Sequence, residues 1–317
     1  RSMWNLVDQL VPDAVKYSQQ NGNHHAAIIL LDKLGRSLEV RRERQKANSY
    51  WHQALDIAQQ HQEVELMVSL MTERSQIASA TDENDLAQEI LQEALALSRA
   101  AGYMRGVALS FGYLGRLSLQ SGDHAQTPLY LDRALVIARE HVFQDLLCGL
   151  LILRGAAASY SETADDAESY YLEALDLART VGRKDQLSAI LTNLGEIETN
   201  RGNNERATAY LEEALEFVRE TGSAAREAHI RKDLGILAMR SGDAEISRRH
   251  FEIGLSLTDG GENDWLAGYI EQNWAELALQ TGHMDEAARL AKLVIARLPD
   301  ESKNRSVVAL ARFVQAQ

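Results

Sequence analysis

The amino-acid sequence predicts an all-α fold, a right-handed superhelical solenoid built from antiparallel helix pairs. Apolar residues recur at three- and four-residue intervals, small residues recur every 40 positions, and the 317 residues include only three prolines. The first pattern is typical of amphipathic helices, which proline would interrupt. Because one helix pair cannot bury its apolar face alone, a fixed repeat of pairs indicates neighbours that stack on one another.

The clearest helix pair is predicted in residues 186–220. Leu187 and Leu194 fall on one face of the first predicted helix, and Leu211 falls on the apolar face of the second. Gly202 lies between the two helices, where glycine readily adopts the left-handed conformation that ends many helices.

Small residues keep one register along the whole chain. One column, with 40-residue spacing, consists of Gly35, Ser75, Gly115, Gly155, Gly195, Gly235 and Ala275. A second column consists of Ala47, Ala87, Thr127, Ala167, Ala207, Ser247 and Ala287. Small side chains let helix axes approach closely, and larger ones would overpack the contact by about 1–3 kcal/mol.

This register predicts a single solenoid over residues 1–317 with about seven repeats. The predicted repeats are 23–62, 63–102, 103–142, 143–182, 183–222, 223–262 and 263–302. Residues 1–22 and 303–317 each have the phase of one partial repeat, a lone helix. We therefore expect the chain to be a fragment of a longer protein, and its end helices to favour self-association.

The turns are expected to differ from repeat to repeat. In the first repeat, Arg41, Arg42, Arg44 and Lys46 are interleaved with Glu39 and Glu43, which favours a solvated charged turn over a phosphate- or partner-binding patch. In the second repeat, Thr81 or Asp82 is expected to cap the following helix.

The repeats resemble the tetratricopeptide repeat. The resemblance rests on the dipeptides Leu34-Gly35, Leu114-Gly115, Leu194-Gly195 and Leu234-Gly235, and on small-to-large pairs such as Ala47 with Trp51 and Ala207 with Leu211. This sequence departs from the family in length, because its repeat has 40 residues and the family repeat typically has 34. The resemblance implies a binding module made of helix hairpins.

Residues 174–222 narrow the resemblance further. They are similar to the 40-residue repeats of bacterial signal-transduction ATPases with numerous domains, including relatives of the maltose-responsive transcription activator. That resemblance implies a sensor or regulatory module attached to a nucleotide-binding switch. The alternative is a free-standing scaffold that joins proteins without such a switch.

Composition and motifs argue against several other functions. The net charge of −13 argues against a nucleic-acid or membrane partner. The one cysteine, Cys148, cannot form an internal disulfide, which favours a cytoplasmic protein. The sequence contains no phosphate loop, zinc-helix or nucleophile-elbow motif, so we expect no enzyme, no metal and no cofactor. His24-His25 is interpreted as a polar turn.

The family resemblance implies a binding surface on the concave face, which first helices line. The inward positions implied by the family register are Tyr113, Arg116, Ile152, Ala156, Tyr160, Asn193, Glu196, Asn200 and Lys232. The expected partner is a protein or peptide, or a small-molecule inducer. The alternative interpretation is a solvated inner surface, with Ala156 merely permitting close helix packing.

Overall fold

The computed structural model describes residues 2–161, 164–258 and 264–297. These ranges contain fifteen α-helices and no β-strand, so the predicted all-α class is confirmed. The helices are α1 Ser2–Gln20, α2 His24–Val40, α3 Arg44–Gln60, α4 Val64–Ala80, α5 Asn84–Ala100, α6 Met104–Gln120, α7 Gln126–Glu140, α8 Gln144–Ser161, α9 Ala164–Val181, α10 Lys184–Arg201, α11 Asn204–Thr221, α12 Ala224–Arg240, α13 Ala244–Ser256, α14 Asp264–Gln280 and α15 Met284–Arg297.

The chain divides into two compact units. Unit 1 is Arg1–Tyr170 and unit 2 is Tyr171–Gln317. In unit 1, consecutive helices pack together, and the first helices α4, α6 and α8 also contact one another. Unit 2 shows the same arrangement, with contacts between α10, α12 and α14. Each unit is thus a stack of helix pairs in the manner of a tetratricopeptide solenoid, whereas the single solenoid over residues 1–317 stays a prediction.

Four glycines of the first column each lie against a large side chain of the second helix in their pair. A Cβ atom built on Gly195 would lie 2.7 Å from Leu211 Cγ, and one built on Gly35 would lie 2.5 Å from Trp51. Leu211 and Trp51 are fully buried. The first helix therefore approaches the second so closely that the large side chain occupies the space above the glycine.

Each described turn contains one residue in the left-handed conformation, and these residues are 20 positions apart. In the turn before α11, Gly202 has φ 81°, and the amide of Asn203 donates to the carbonyl of Glu198 at 2.9 Å. Asp82 holds the same place before α5, with φ 61°. This bond satisfies a carbonyl that the last helical turn leaves free.

The predicted cap at Thr81 or Asp82 is wrong. Glu83 precedes α5, and its side chain makes no capping bond to that helix. Thr81 instead ends α4, and its hydroxyl donates to the carbonyls of Ile77 and Ala78. A serine or threonine hydroxyl can bond backwards to the preceding turn as well as forwards, and here the backward bond is formed.

Candidate functional site

Unit 1 contains a cleft of about 440 Å³ beside its first helices. Its walls come from the end of α2, from α4, from the start of α5 and from α6. The lining residues are Glu39, Ser75, Gln76, Ser79, Ala80, Asp82, Asn84, Ala87, Leu91, Tyr113, Arg116, Leu117 and Gln120. Polar side chains predominate on α4 and α6, whereas α5 contributes Asn84, Ala87 and Leu91.

A ladder of polar contacts links the first helices beside this cleft. Arg36 on α2 reaches Glu73 on α4, with 2.7 Å between Nη1 and Oε1, and its Nε donates to Asp32 Oδ2 at 2.9 Å. Asp32 is held in turn by the indole N–H of Trp51 at 3.0 Å. Because Asp32 is fixed from two sides, Arg36 is oriented towards the next repeat.

The same ladder continues from α4 to α6. The side-chain amide of Gln76 donates to Glu73 Oε2 at 3.3 Å and to the hydroxyl of Tyr113 at 3.4 Å. Arg116 Nη2 donates to Gln76 Oε1 at 3.0 Å, and the guanidinium carbon lies 4.6 Å from the centre of the Tyr113 ring. These contacts hold Arg116 at the cleft wall, where its remaining N–H groups can serve a ligand.

Burial changes the proton affinity of two members of the ladder. It raises the pKa of Glu73, although the positive charge of Arg36 opposes that change. Burial also raises the pKa of Tyr113, and the nearby charge of Glu73 adds to the effect. Tyr113 therefore remains a neutral phenol at physiological pH.

The far wall of the cleft adds further hydrogen-bonding groups. Ser79 donates to Gln120 Oε1 at 3.0 Å, which leaves the amide N–H groups of Gln120 for another acceptor. Glu39 Oε2 is buried and has no hydrogen-bond partner among the described residues. With Arg116 on α6, the cleft presents donors and acceptors together, which is what a polypeptide backbone requires.

Two of the predicted binding residues line this cleft, namely Tyr113 and Arg116. Ile152, Ala156 and Tyr160 lie on α8 and are not among the described lining residues. Ile152 and Ala156 are partly buried. Tyr160 is 71% exposed, and its ring stacks on His124 with 5.4 Å between the ring centres.

The other predicted residues lie in unit 2, on α10 and α12. Lys232 Nζ is 3.0 Å from Asp233 Oδ1, and His229 Nε2 is 3.5 Å from Asp233 Oδ2. Burial lowers the pKa of His229, the charge of Lys232 lowers it further, and Asp233 and Glu196 oppose both.

Asn193 is partly buried, whereas Glu196 and Asn200 are exposed. A single groove formed by all nine predicted residues stays a prediction.

Sequence reasoning missed three residues of the polar ladder, namely Arg36, Glu73 and Gln76. A signal for them was present in the sequence, since Arg36 and Gln76 precede Arg116 by 80 and 40 positions. Extending the register that identified Arg116 back by one and by two repeats would have found Gln76 and Arg36. Their pairing across neighbouring helices is visible only in the structure.

Among the described residues, no three or more histidine, cysteine or acidic side chains form a group that could hold a metal ion. Among the helices of the described ranges, none combines the length and the apolar character that a membrane crossing requires.

The fold is an all-α array of helix pairs that resembles tetratricopeptide-repeat arrays. The family model described as tetratricopeptide repeat matches residues 146–220. No curated protein sequence matches the chain.

Solved structures agree with this fold at low sequence identity. The signal-transduction ATPase with numerous domains PH0952 from Pyrococcus horikoshii, which has a tetratricopeptide-repeat sensor, is 14% identical with a TM-score of 0.69. The match covers 98% of this chain and 49% of PH0952.

The quorum sensor NprR is also similar, both alone and with a ligand. Its apo form from B. thuringiensis is 14% identical with a TM-score of 0.57, covering 99% of this chain and 96% of that one. NprR in complex with its cognate peptide NprX is 15% identical with a TM-score of 0.59. That match covers 95% of this chain and 84% of NprR.

Proposed function

We propose that this chain is a peptide- or protein-binding module and that its partner lies in the cleft of unit 1. The observation that carries the proposal is the wall formed by Gln76, Arg116 and Gln120, in which hydrogen bonds fix each side chain but leave donors of Arg116 and Gln120 free. An extended peptide offers one N–H and one C=O per residue to such a wall. The complex of NprR with its peptide supports the same class of ligand.

We further propose that the module is the sensor or regulatory part of a signal-transduction ATPase with numerous domains, acting in the cytoplasm. The similarity to PH0952 supports this context. Since the match spans about half of PH0952, the switch and its effector would lie outside this chain. In the natural full-length protein, a peptide bound in the cleft would then change the rate of ATP hydrolysis.

The first test uses a phage-displayed library of random linear peptides, panned against the chain. Enriched peptides are synthesised with a fluorescent label, and their Kd is measured by anisotropy. We expect Arg116→Ala to raise the Kd by about tenfold or more, since hydrogen bonds from charged groups contribute about 1.5–3 kcal/mol.

The matched control is Arg133→Ala, which removes an exposed arginine from α7 in the same unit. Its Kd should equal that of the parent chain. Peptides that bind both variants equally well would remove the cleft as the site, and failure to enrich any peptide would argue against the peptide-binding function.

A further inference from the structure

Unit 1 contains a second cavity, of about 200 Å³, between α3, α4 and α5. Its lining residues are Arg44, Gln45, Asn48, Arg74, Ile77, Ala78, Thr81, Glu83, Leu86 and Ile90. None of these described residues also lines the cleft, so the two spaces are distinct. The cavity is notable for two arginines in a small space.

Arg74 has fewer hydrogen-bond acceptors than its guanidinium can use. Its Nη2 donates to His52 Nε2 at 2.9 Å, and His52 Nδ1 donates to the carbonyl of Asn48 at 2.9 Å. Arg74 Nε is buried, with no hydrogen-bond partner in the part of the chain that the structure describes. Burial lowers the pKa of Arg74 although Glu93 and Asp56 oppose it, so the local anions do not fully compensate its charge.

Arg44 is also incompletely bonded. Its Nη1 donates to the carbonyl of Ala80 at 3.2 Å, whereas its buried Nε has no hydrogen-bond partner within the described ranges. Glu39 Oε1 lies 3.6 Å from that Nε, which is an ion pair and too long for a hydrogen bond. The lining also includes the acidic residue Glu83, whose Oε1 lies 3.1 Å from the Thr81 hydroxyl oxygen.

Unit 2 contains the equivalent cavity 200 residues further along the chain, and that cavity lacks the pair of incompletely bonded arginines. That cavity measures about 90 Å³ and is lined by Ala244, Glu245, Arg248, Trp274, Leu277, Ala278, Thr281, His283 and Glu286. Alanine and tryptophan replace the two arginines. Arg248 is paired with Glu286 at 3.6 Å and with Glu252 at 3.9 Å. The cationic cavity is therefore a property of particular side chains and not of the repeat backbone.

We propose that the cavity of unit 1 binds a small phosphate monoester, with its phosphoryl group between Arg44 and Arg74. Arginine bonds phosphate oxygens through paired N–H groups. A phosphate monoester carries about −1.5 to −2 charges at pH 7, which suits two cations better than the single charge of a carboxylate. The organic part of the ligand lies against Ile77, Leu86 and Ile90. This site shares no lining residue with the peptide cleft, although Arg44 contacts Glu39 and Ala80, which line that cleft.

The test titrates the chain with phenyl phosphate, inorganic phosphate and benzoate, using calorimetry for the Kd. The ¹⁵Nε–H signals of arginine, assigned by substitution, locate the binding. We expect phenyl phosphate to bind most tightly, with shifts of the Arg44 and Arg74 signals. Arg44→Gln should raise its Kd by about tenfold or more, because one charge-assisted bidentate contact is lost.

Arg74→Gln should weaken binding similarly, and Arg44→Gln keeps the test valid if that more buried variant fails to fold. The matched control is Arg248→Gln in the equivalent cavity of unit 2, which should leave the Kd unchanged. Benzoate binding as tightly as phenyl phosphate would overturn the ligand class. Absence of phenyl phosphate binding, or binding that survives Arg44→Gln, would overturn the site.

Discussion

The two units close the same turn with different residues. In unit 1 the left-handed position is occupied by Arg42, Gln62, Asp82 and Val142, as well as by three glycines. In the described turns of unit 2 it is occupied by Gly182, Gly202, Gly222, Gly242 and Gly282. The backbone bonds are equivalent, so the spacing and packing of the helices impose the turn. Glycine adopts the left-handed conformation of this turn at little cost, whereas other residues pay about 1–2 kcal/mol for it.

The two units also differ in where they keep charge. In unit 1 the pair Arg36 and Glu73 lies beside the cleft, and the Arg36 side chain is 47% exposed. In unit 2 Glu271 is fully buried within α14, at the position that Leu31 and Leu191 occupy in other repeats. Its counterion is Arg297 on α15, with 3.1 Å between Nε and Oε1. Unit 2 therefore has a buried carboxylate at the position where unit 1 has the apolar residue Leu31.

Removing the counterion of Glu271 should have the largest effect. Arg297→Met leaves a buried carboxylate uncompensated, and we expect the free energy of unfolding to fall by about 3 kcal/mol. The double variant Arg297→Met/Glu271→Leu should recover most of that loss. Urea denaturation at pH 7 provides the measurement.

The corresponding change in unit 1 is Arg36→Met, which should cost about 1 kcal/mol or less because this pair is more exposed. Equal losses from the two single variants would contradict the difference between the units. A double variant as unstable as Arg297→Met would show that the carboxylate is not the cause.

Exchanging the turn residues should have an intermediate effect of opposite sign in the two units. Val142→Gly relieves a β-branched residue at φ 56°, and we expect unit 1 to gain about 1 kcal/mol. Gly202→Val imposes the same strain at φ 81° and should cost unit 2 about 1–2 kcal/mol. Hydrogen exchange near each turn and urea denaturation report both changes. If neither variant changes stability, the turns carry no strain.

An effect confined to acid pH is expected at His250 in unit 2, which is only partly buried. Burial and the charges of Arg231 and Arg249 lower its pKa from 6.5 to about 4. Because the unfolded chain takes up the proton first, this group reduces stability as the pH falls from about 6.5 to about 4. His250→Asn should flatten the stability profile in that interval alone. An unchanged profile would show that His250 does not contribute.

The spacing of residues in the sequence was sufficient to predict the helix pairs. Gly195 could be placed at a close helix contact and Leu211 on an apolar face in advance, because a helix places residues on faces by local periodicity, which needs no knowledge of distant parts of the chain. Tyr113 and Arg116, which the family register placed on the inner face, line the cleft of unit 1, and their role in binding stays a prediction. The hydroxyl of Thr81 was assigned to the wrong helix because local patterns allow bonds in both directions.

Only the tertiary structure decided which side chains are paired and which keep hydrogen-bonding groups without a partner. Glu271 could not be recognised as buried from its chemistry, and Arg44 and Arg74 are 30 positions apart with no common motif. Their convergence depends on how α3, α4 and α5 pack, and their free N–H groups depend on rotamers chosen within that packing. Periodicity determines which face of a helix a residue occupies, but partners on that face come from other helices.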